Sequence, residues 1–258
     1  MIQLAGSSID TTSIILIVGA TAIGGFLRGF VGFGGALALV PALAVAVGPR
    51  VAVAVASLVG LPALIQLLPE AVRYADRRRV LPIALAIMAA APIGSLILTQ
   101  VDQRIMTGAI GVIVMLLAIL TWKAPRGEAM RKPWVGVAAG AASGLLQGAA
   151  GIGGPPSVAV LMAQGGEARQ LRANVLASVT AISTCGAISH LSFGLFTYKA
   201  LIIASILLPS FIAFTWLGSR FFLLGGSQYF RAAALAILLG IGLITSVGSL
   251  GPLILGSR

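Results

Sequence analysis

Of the chain's 258 residues, 59% are hydrophobic and only 9% are charged, against a soluble norm of about 25% charged. So few charges cannot clothe a globular exterior, which excludes a water-soluble domain. The formal charge of +11 sits in short loops between apolar runs, without a basic helix or interleaved aromatics. Nucleic acid is thereby excluded as a partner, and positive cytoplasmic loops of a membrane protein account for the charge.

The first apolar run, 12–31, has no basic segment before it and leads straight into a glycine cluster. It is therefore expected to stay as a helix rather than to be cleaved as a signal. A short run at 36–48 follows, then runs at 51–69, 80–99 and 104–122. Val80 to Gln100 carries no charge, and roughly twenty apolar residues cross a hydrocarbon core of about 30 Å. The charged, proline-bearing stretch 123–133 reads as a cytoplasmic linker. Beyond it lie 134–150, a second short run at 155–165, then 171–190, 199–222 and 231–250. The short runs are about 11–13 residues, too few for a full crossing, and each follows a glycine cluster, as the second part of a broken helix does. The expected fold is an all-α membrane protein: a polytopic helical bundle of two inverted repeats of about five segments, 1–122 and 134–258.

Arg73, Arg77, Arg78 and Arg79 share one loop, and Lys123, Arg126, Arg131 and Lys132 share another. Two spans separate these loops, so both face one side, the cytoplasm by the positive-inside rule. If all ten runs cross, Arg169, Arg172, Arg220 and Arg231 join them. Arg50, Arg104, Lys199 and Arg258 then lie outside with both termini. An odd number of spans per half inverts the second half relative to the first. Re-entrant short segments would leave four spans per half and no inversion.

The most informative pattern is a repeat. Gly29-Phe30-Val31-Gly32-Phe33-Gly34-Gly35 returns 119 residues later as Gly148-Ala149-Ala150-Gly151-Ile152-Gly153-Gly154. Glycine costs about 1 kcal/mol in a helix interior, and paired Gly-broken segments in two halves point to a transport site. A helix broken at membrane depth offers free N–H groups and partial positive charge at its second part, which suits an anion. Gly32, Gly34 and Gly35 precede one short helix; Gly151, Gly153 and Gly154 precede the other. Pro155 and Pro156 fit its first turn, where a missing N–H does no harm. The two ends are expected to face each other near the midplane around one compact anion. Close helix packing through small residues is the competing reading of the same glycines.

The segment Gly25-Phe26-Leu27-Arg28-Gly29-Phe30-Val31-Gly32-Phe33-Gly34-Gly35, with Pro41 beyond it, resembles the signature of the TauE/SafE sulfite-exporter family. Ser143-Gly144-Leu145-Leu146-Gln147-Gly148-Ala149-Ala150-Gly151-Ile152-Gly153-Gly154 resembles its second copy. The likeness extends over nearly the whole chain. It implies a bacterial inner-membrane permease for sulfite, sulfonates or related small organic anions. The family often carries a third consecutive glycine, where this chain has Ala36 and Pro155, and Arg28 stands where a smaller or neutral residue is expected.

Arg28 lies inside an apolar span, where a charge costs at least about 2.5 kcal/mol. It either binds the anion or snorkels to the cytoplasmic interface; Gln147 occupies the matching position. Asn174, Ser178 and Thr184 form a polar stripe along 171–190, and Ser57 resembles Ser178 at the equivalent place in the third span. Neutral donors suit an oxyanion, although interhelical hydrogen bonding uses the same residues. His190, the only histidine, is a candidate for proton coupling, with a solvated or capping role at the outer end of its span as the alternative.

Asp10, Glu70, Asp76, Asp102, Glu128 and Glu167 all fall in expected loops or at span ends, so a carboxylate proton relay at mid-membrane is disfavoured. No P-loop supports ATP drive. One histidine and one cysteine, Cys185, supply neither a disulfide, a metal cluster nor a catalytic set, so no enzyme and no cofactor are expected. The expected partners are the lipid bilayer, a small anion and a coupled proton or sodium ion. Secondary transport by alternating access leads; an anion channel is the nearest alternative, and a non-transport membrane assembly protein a more distant one.

Overall fold

Every apolar run within the described residues is a helix, because in hydrocarbon each backbone polar group must be satisfied inside its own segment. The computed structural model describes residues 2–4, 7–9, 11–122, 130, 132–165 and 167–224. A two-stranded antiparallel hairpin, β1 (Ile2–Leu4) and β2 (Ser7–Ile9), precedes the bundle. The helices among the described residues are α1 (Thr11–Val31), α2 (Gly35–Val47), α3 (Pro49–Tyr74), α4 (Arg77–Gln100), α5 (Gln103–Trp122), α6 (Pro133–Ala150), α7 (Gly154–Gln164), α8 (Ala168–Ser192) and α9 (Tyr198–Leu223). The expected tenth span, 231–250, lies outside the described residues.

Five helices, α1, α3, α4, α8 and α9, are long and apolar enough to cross a membrane by themselves. Their outward faces carry Ile15, Ile65, Leu85, Ile188 and Phe221 in the open, a surface that only lipid tolerates. The chain is an all-α, multi-pass membrane protein. Two boundaries differ from expectation. α3 continues through Pro69 to Tyr74, since neighbouring helices in a bundle re-satisfy the groups a proline frees. α8 starts at Ala168, three residues before the expected run, which puts Arg169 inside the helix instead of in a loop.

The packing is mirrored. α1 packs on α9, and α4 packs on α6. A Cβ on Gly25 would meet Phe211 O, and one on Gly29 would meet Thr215 O and Ser219 N. Across the other pair, Gly144 faces Ile87 O, and Gly148 faces Ala91 O and Ser95 N. In the reverse sense Gly218 faces Phe26 O and Phe30 N, while Gly94 faces Leu145 O and Ala149 N. Gly25 to Gly144 and Gly29 to Gly148 both step 119 residues; Ile87 to Phe211 and Ser95 to Ser219 both step 124. The same contacts are thus made twice, with backbones close enough to leave no room for a side chain.

Direction follows from α8, whose 25 residues span about 37 Å at 1.5 Å per residue. Near its amino end Arg172 bonds the carbonyls of Gly29 and Phe30, at the carboxyl end of α1. Near its other end His190 bonds Gly148, at the carboxyl end of α6. The carboxyl ends of α1 and α6 therefore lie toward opposite ends of α8. The end of the bundle holding Arg172 also gathers Arg73, Arg169 and Arg220, with Arg169 over the Tyr74 ring. Arg50 sits at the opposite end, donating to Leu98 O and Thr99 O.

Gly148→Ala and Gly29→Ala should each lower the thermal unfolding midpoint of purified protein, since overpacking costs about 1–3 kcal/mol. Gly108→Ala, where an added Cβ meets nothing within 4 Å, should leave the midpoint unchanged or raise it. Equal midpoints for all three would show that the close backbone approach does not hold the bundle together.

Candidate functional site

After α1 the chain turns back through Gly32-Phe33-Gly34, with Gly32 at φ 93° and Gly34 at φ 95°. Side-chain-bearing residues rarely adopt such values. The reversal brings Gly35 against Gly24, midway along α1, so α2 starts well inside the bundle. After α6 the same happens: Gly151 caps the helix at φ 70°, and Gly153 packs on Ser143, midway along α6. α2 and α7 have 13 and 11 residues, about 20 and 17 Å, each a partial crossing.

A cavity of about 50 Å³ lies between the two turns, room for about three to five waters at roughly 10–15 Å³ each. Gly34, Gly35, Gly151, Gly153 and Gly154 line it, as do Arg28, Gln147 and Ser57. Phe33, Ile152 and Phe211 supply apolar wall. No carboxylate is among its lining residues.

The two helix ends are chemically unequal. At α7, Gly153 N–H donates to Gln147 Oε1 at 3.2 Å and Ser157 N–H to Ser143 Oγ at 3.1 Å. Pro155 and Pro156 have no N–H, so Gly154 alone is left to donate. At α2 the amides of Gly35, Ala36 and Leu37 have no hydrogen-bond partner among the described residues. All three residues line the cavity. The expectation of two equivalent donor ends is corrected here: α2 holds the open donors, and α6 side chains have taken most of those of α7.

Arg28 completes the donor side. It is 6% exposed and does not snorkel to the surface. Nη1 donates to Gly32 O at 3.3 Å and Nη2 to Ser183 Oγ at 3.4 Å. Its buried Nε has no partner among the described residues. A buried cation with an unused donor, beside three open amides, attracts an anion.

The other expected residues divide. Gly32 is behind the wall, against Leu176, and contributes its carbonyl to Arg28. Asn174 is at the basic end, where Oδ1 accepts from Asp76 N–H at 2.7 Å and steadies the start of α4. Ser178 is buried without a partner for Oγ among the described residues, away from the cavity lining. Thr184 is exposed on the outer surface. α8 turns through 100° per residue, and its cavity-facing stripe runs through Val179, Ile182 and Ser183, not through Thr184. His190 is neither solvated nor a cap: it is fully buried, with Nδ1 2.9 Å from Ser57 Oγ and Nε2 3.1 Å from Gly148 O.

A protein-family model described as Sulfite exporter TauE/SafE matches residues 16–245. The chain belongs to the TauE/SafE sulfite exporter family. The match takes in both glycine turns and the cavity between them, and it makes this a member of a family of membrane transporters. Comparison with curated proteins and with solved structures finds no match.

One feature of this TauE/SafE chain escaped sequence reasoning. Arg172, 0% exposed, pairs with Glu70 of α3, donates to Gly29 O and Phe30 O of α1, and stacks over Phe222 of α9 at 4.0 Å. Glu70 and Arg172 each fall at a span end, where a charge reads as solvated, and nothing in their spacing announces a pair 102 residues apart. Arg172→Ala should destabilise the protein by about 3–5 kcal/mol, because it leaves a carboxylate and two carbonyls without their cation. An unfolding midpoint equal to that of the unsubstituted protein would remove the clamp from the list of structural supports.

Proposed function

We propose that this protein is a secondary transporter that moves a small sulfur oxyanion, sulfite or a sulfonate, across a bacterial inner membrane by alternating access. One observation carries the reading. Arg28, whose buried Nε has no partner among the described residues, lines the same cavity as Gly35, Ala36 and Leu37 with their open amides. A tetrahedral or pyramidal oxyanion has acceptors enough for all of these donors, and the cavity has space for a headgroup of that size. Gln147, Ser57 and Ser183 complete the polar lining.

The mirrored glycine contacts, and the carboxyl ends of α1 and α6 lying toward opposite ends of α8, support two inverted repeats, 1–122 and 134–258, joined by 123–133. Alternating access then exchanges the conformations of the two halves about a fixed site. The Arg172–Glu70 clamp, which binds α8 to α1 and α3, is one tie that opens and closes in such a cycle. The clustering of arginines at its end favours that end as cytoplasmic, which places both termini outside.

In proteoliposomes, sulfite or methanesulfonate uptake should saturate and show counterflow; large flux without saturation would make the protein a channel instead. Arg28→Gln should weaken anion affinity ten- to a hundredfold, as loss of a charged hydrogen bond of about 1.5–3 kcal/mol requires. Ala36→Leu, which fills the cavity from the first turn of α2, should abolish binding while the folded protein remains in the membrane. Unchanged affinity in both variants would take the anion site away from this cavity.

A further inference from the structure

The contact between Ser57 and His190 fixes more than a position. A carbonyl oxygen only accepts hydrogen bonds, so His190 Nε2, 3.1 Å from Gly148 O, must carry a hydrogen in every protonation state that keeps this bond. In the neutral ring Nδ1 is then the acceptor. The only hydrogen of Ser57 Oγ, 2.9 Å away, points at it. Ser57 lines the cavity, and in this state it offers the cavity lone pairs alone. A fully deprotonated oxyanion held by Arg28 and α2 would meet these lone pairs as a repulsion.

Protonation of His190 reverses that polarity. Nδ1–H then donates to Ser57 Oγ, Nε2–H still donates to Gly148 O, and the hydroxyl hydrogen of Ser57 is released toward the cavity. One proton enters the ring from water, and one new donor faces the anion. Rotation of the hydroxyl without protonation would instead leave Nδ1 a buried acceptor without a donor, which is the costly way to lose a hydrogen bond.

The surroundings leave this exchange to the pair itself. α8 packs against α3, α4, α6 and α7, of which α6 and α7 have no ionisable residue. On α3, Arg50 is bonded to Leu98 O and Thr99 O, Glu70 is paired with Arg172, and Arg73 lies over Tyr74 at the basic end. On α4 the charges are Arg77, Arg78 and Arg79, at its first turn. α8 itself adds Cys185 between the cavity and His190 in sequence. Arg28, on α1, is the ionisable group that shares the cavity with Ser57.

We propose that the site binds an oxyanion together with one proton, which is carried on His190 when the anion has none and on the anion's own O–H, donated to Ser57, when it has one. The inference rests on the anion-site reading above and names His190 and Ser57 as the groups that couple the two. Neither need move far: the switch is a change of hydrogen-bond direction along Gly148 O, His190 and Ser57.

Methanesulfonate, which carries no proton at working pH, separates the possibilities. Calorimetric binding to the purified full chain, in two buffers of different ionisation enthalpy, should show uptake of one proton per anion bound. Its affinity should fall about tenfold per pH unit once the pH exceeds the histidine's own pKa in the free protein. Ser57→Ala and His190→Gln should bind more weakly, with no proton uptake and a flat pH profile. Binding by the unsubstituted protein without proton uptake overturns the coupling while leaving the anion site intact. Proton uptake that persists in folded Ser57→Ala and His190→Gln overturns the assignment to this pair. Absence of any methanesulfonate binding overturns the anion site, and the coupling with it.

Discussion

The architecture depends on one constraint: no backbone polar group is left unpaired against lipid. Two glycine turns, from which α2 and α7 start inside the bundle, violate it locally, and the rest of the bundle covers them. α3 and α8 pack together, α2 lies against α1 and α3, and α7 against α6 and α8. The irregular peptides therefore border protein and a small cavity, not hydrocarbon. Glycine at the close contacts makes this cover tight. Gly29 and Gly148 let neighbouring helices approach until backbone meets backbone, which leaves dispersion across the full contact as the cohesive force where hydrophobic burial offers little.

Each break then has a choice of what to do with its freed donors. The second break spends them internally, on Gln147 and Ser143, and omits two more through Pro155 and Pro156. The first leaves Gly35, Ala36 and Leu37 open and adds Arg28. The repeated contacts are thus kept where helices pack and lost where the proposed ligand would sit. An asymmetric cargo bound on a two-fold axis could not use two identical donor sets in full, so the division leaves one attractive wall and one fixed wall.

Much of this was legible in the sequence because it obeys periodicity and composition. The helices among the described residues, the short segments, both turns and five of the six expected glycines follow from apolar run length and from the duplicated motif. The chain's likeness to TauE/SafE, carried by those same motifs, matches the family shown over residues 16–245. What was not legible depends on rotation and long-range partners. Asn174, Ser178 and Thr184 share a stripe by spacing, yet one faces Asp76, one is enclosed and one meets the outer surface. Helical spacing gives relative angles only; the absolute rotation of α8 is set by α3 and α4 packing on it. His190 misled for a similar reason. Its place near the end of an apolar run suggested water, whereas the helix continues to Ser192 and the ring turns inward to Ser57. Arg172 hid because it is the second residue of its apolar run, where a charge reads as solvated, and its partner Glu70 is 102 residues away.

The placement of Arg28 also bears on how tightly a carrier should hold its cargo. In the cycle proposed above the carrier returns without its ligand, and a bare guanidinium at that depth would oppose the return step. Arg28 keeps two protein acceptors of its own, Gly32 O and Ser183 Oγ, at 3.3 and 3.4 Å. These long bonds are weak enough to yield to an oxyanion and sufficient to keep the cation tolerable without one. Ser183 is on α8 and Gly32 on the turn after α1, so the same contacts join the two halves of the chain across the cavity. Binding an anion would redirect the guanidinium toward the amides of α2 and loosen that bridge. Under the proposed alternating access, affinity and movement would be coupled through a single side chain: the more completely Arg28 turned to the anion, the less it would hold the halves together.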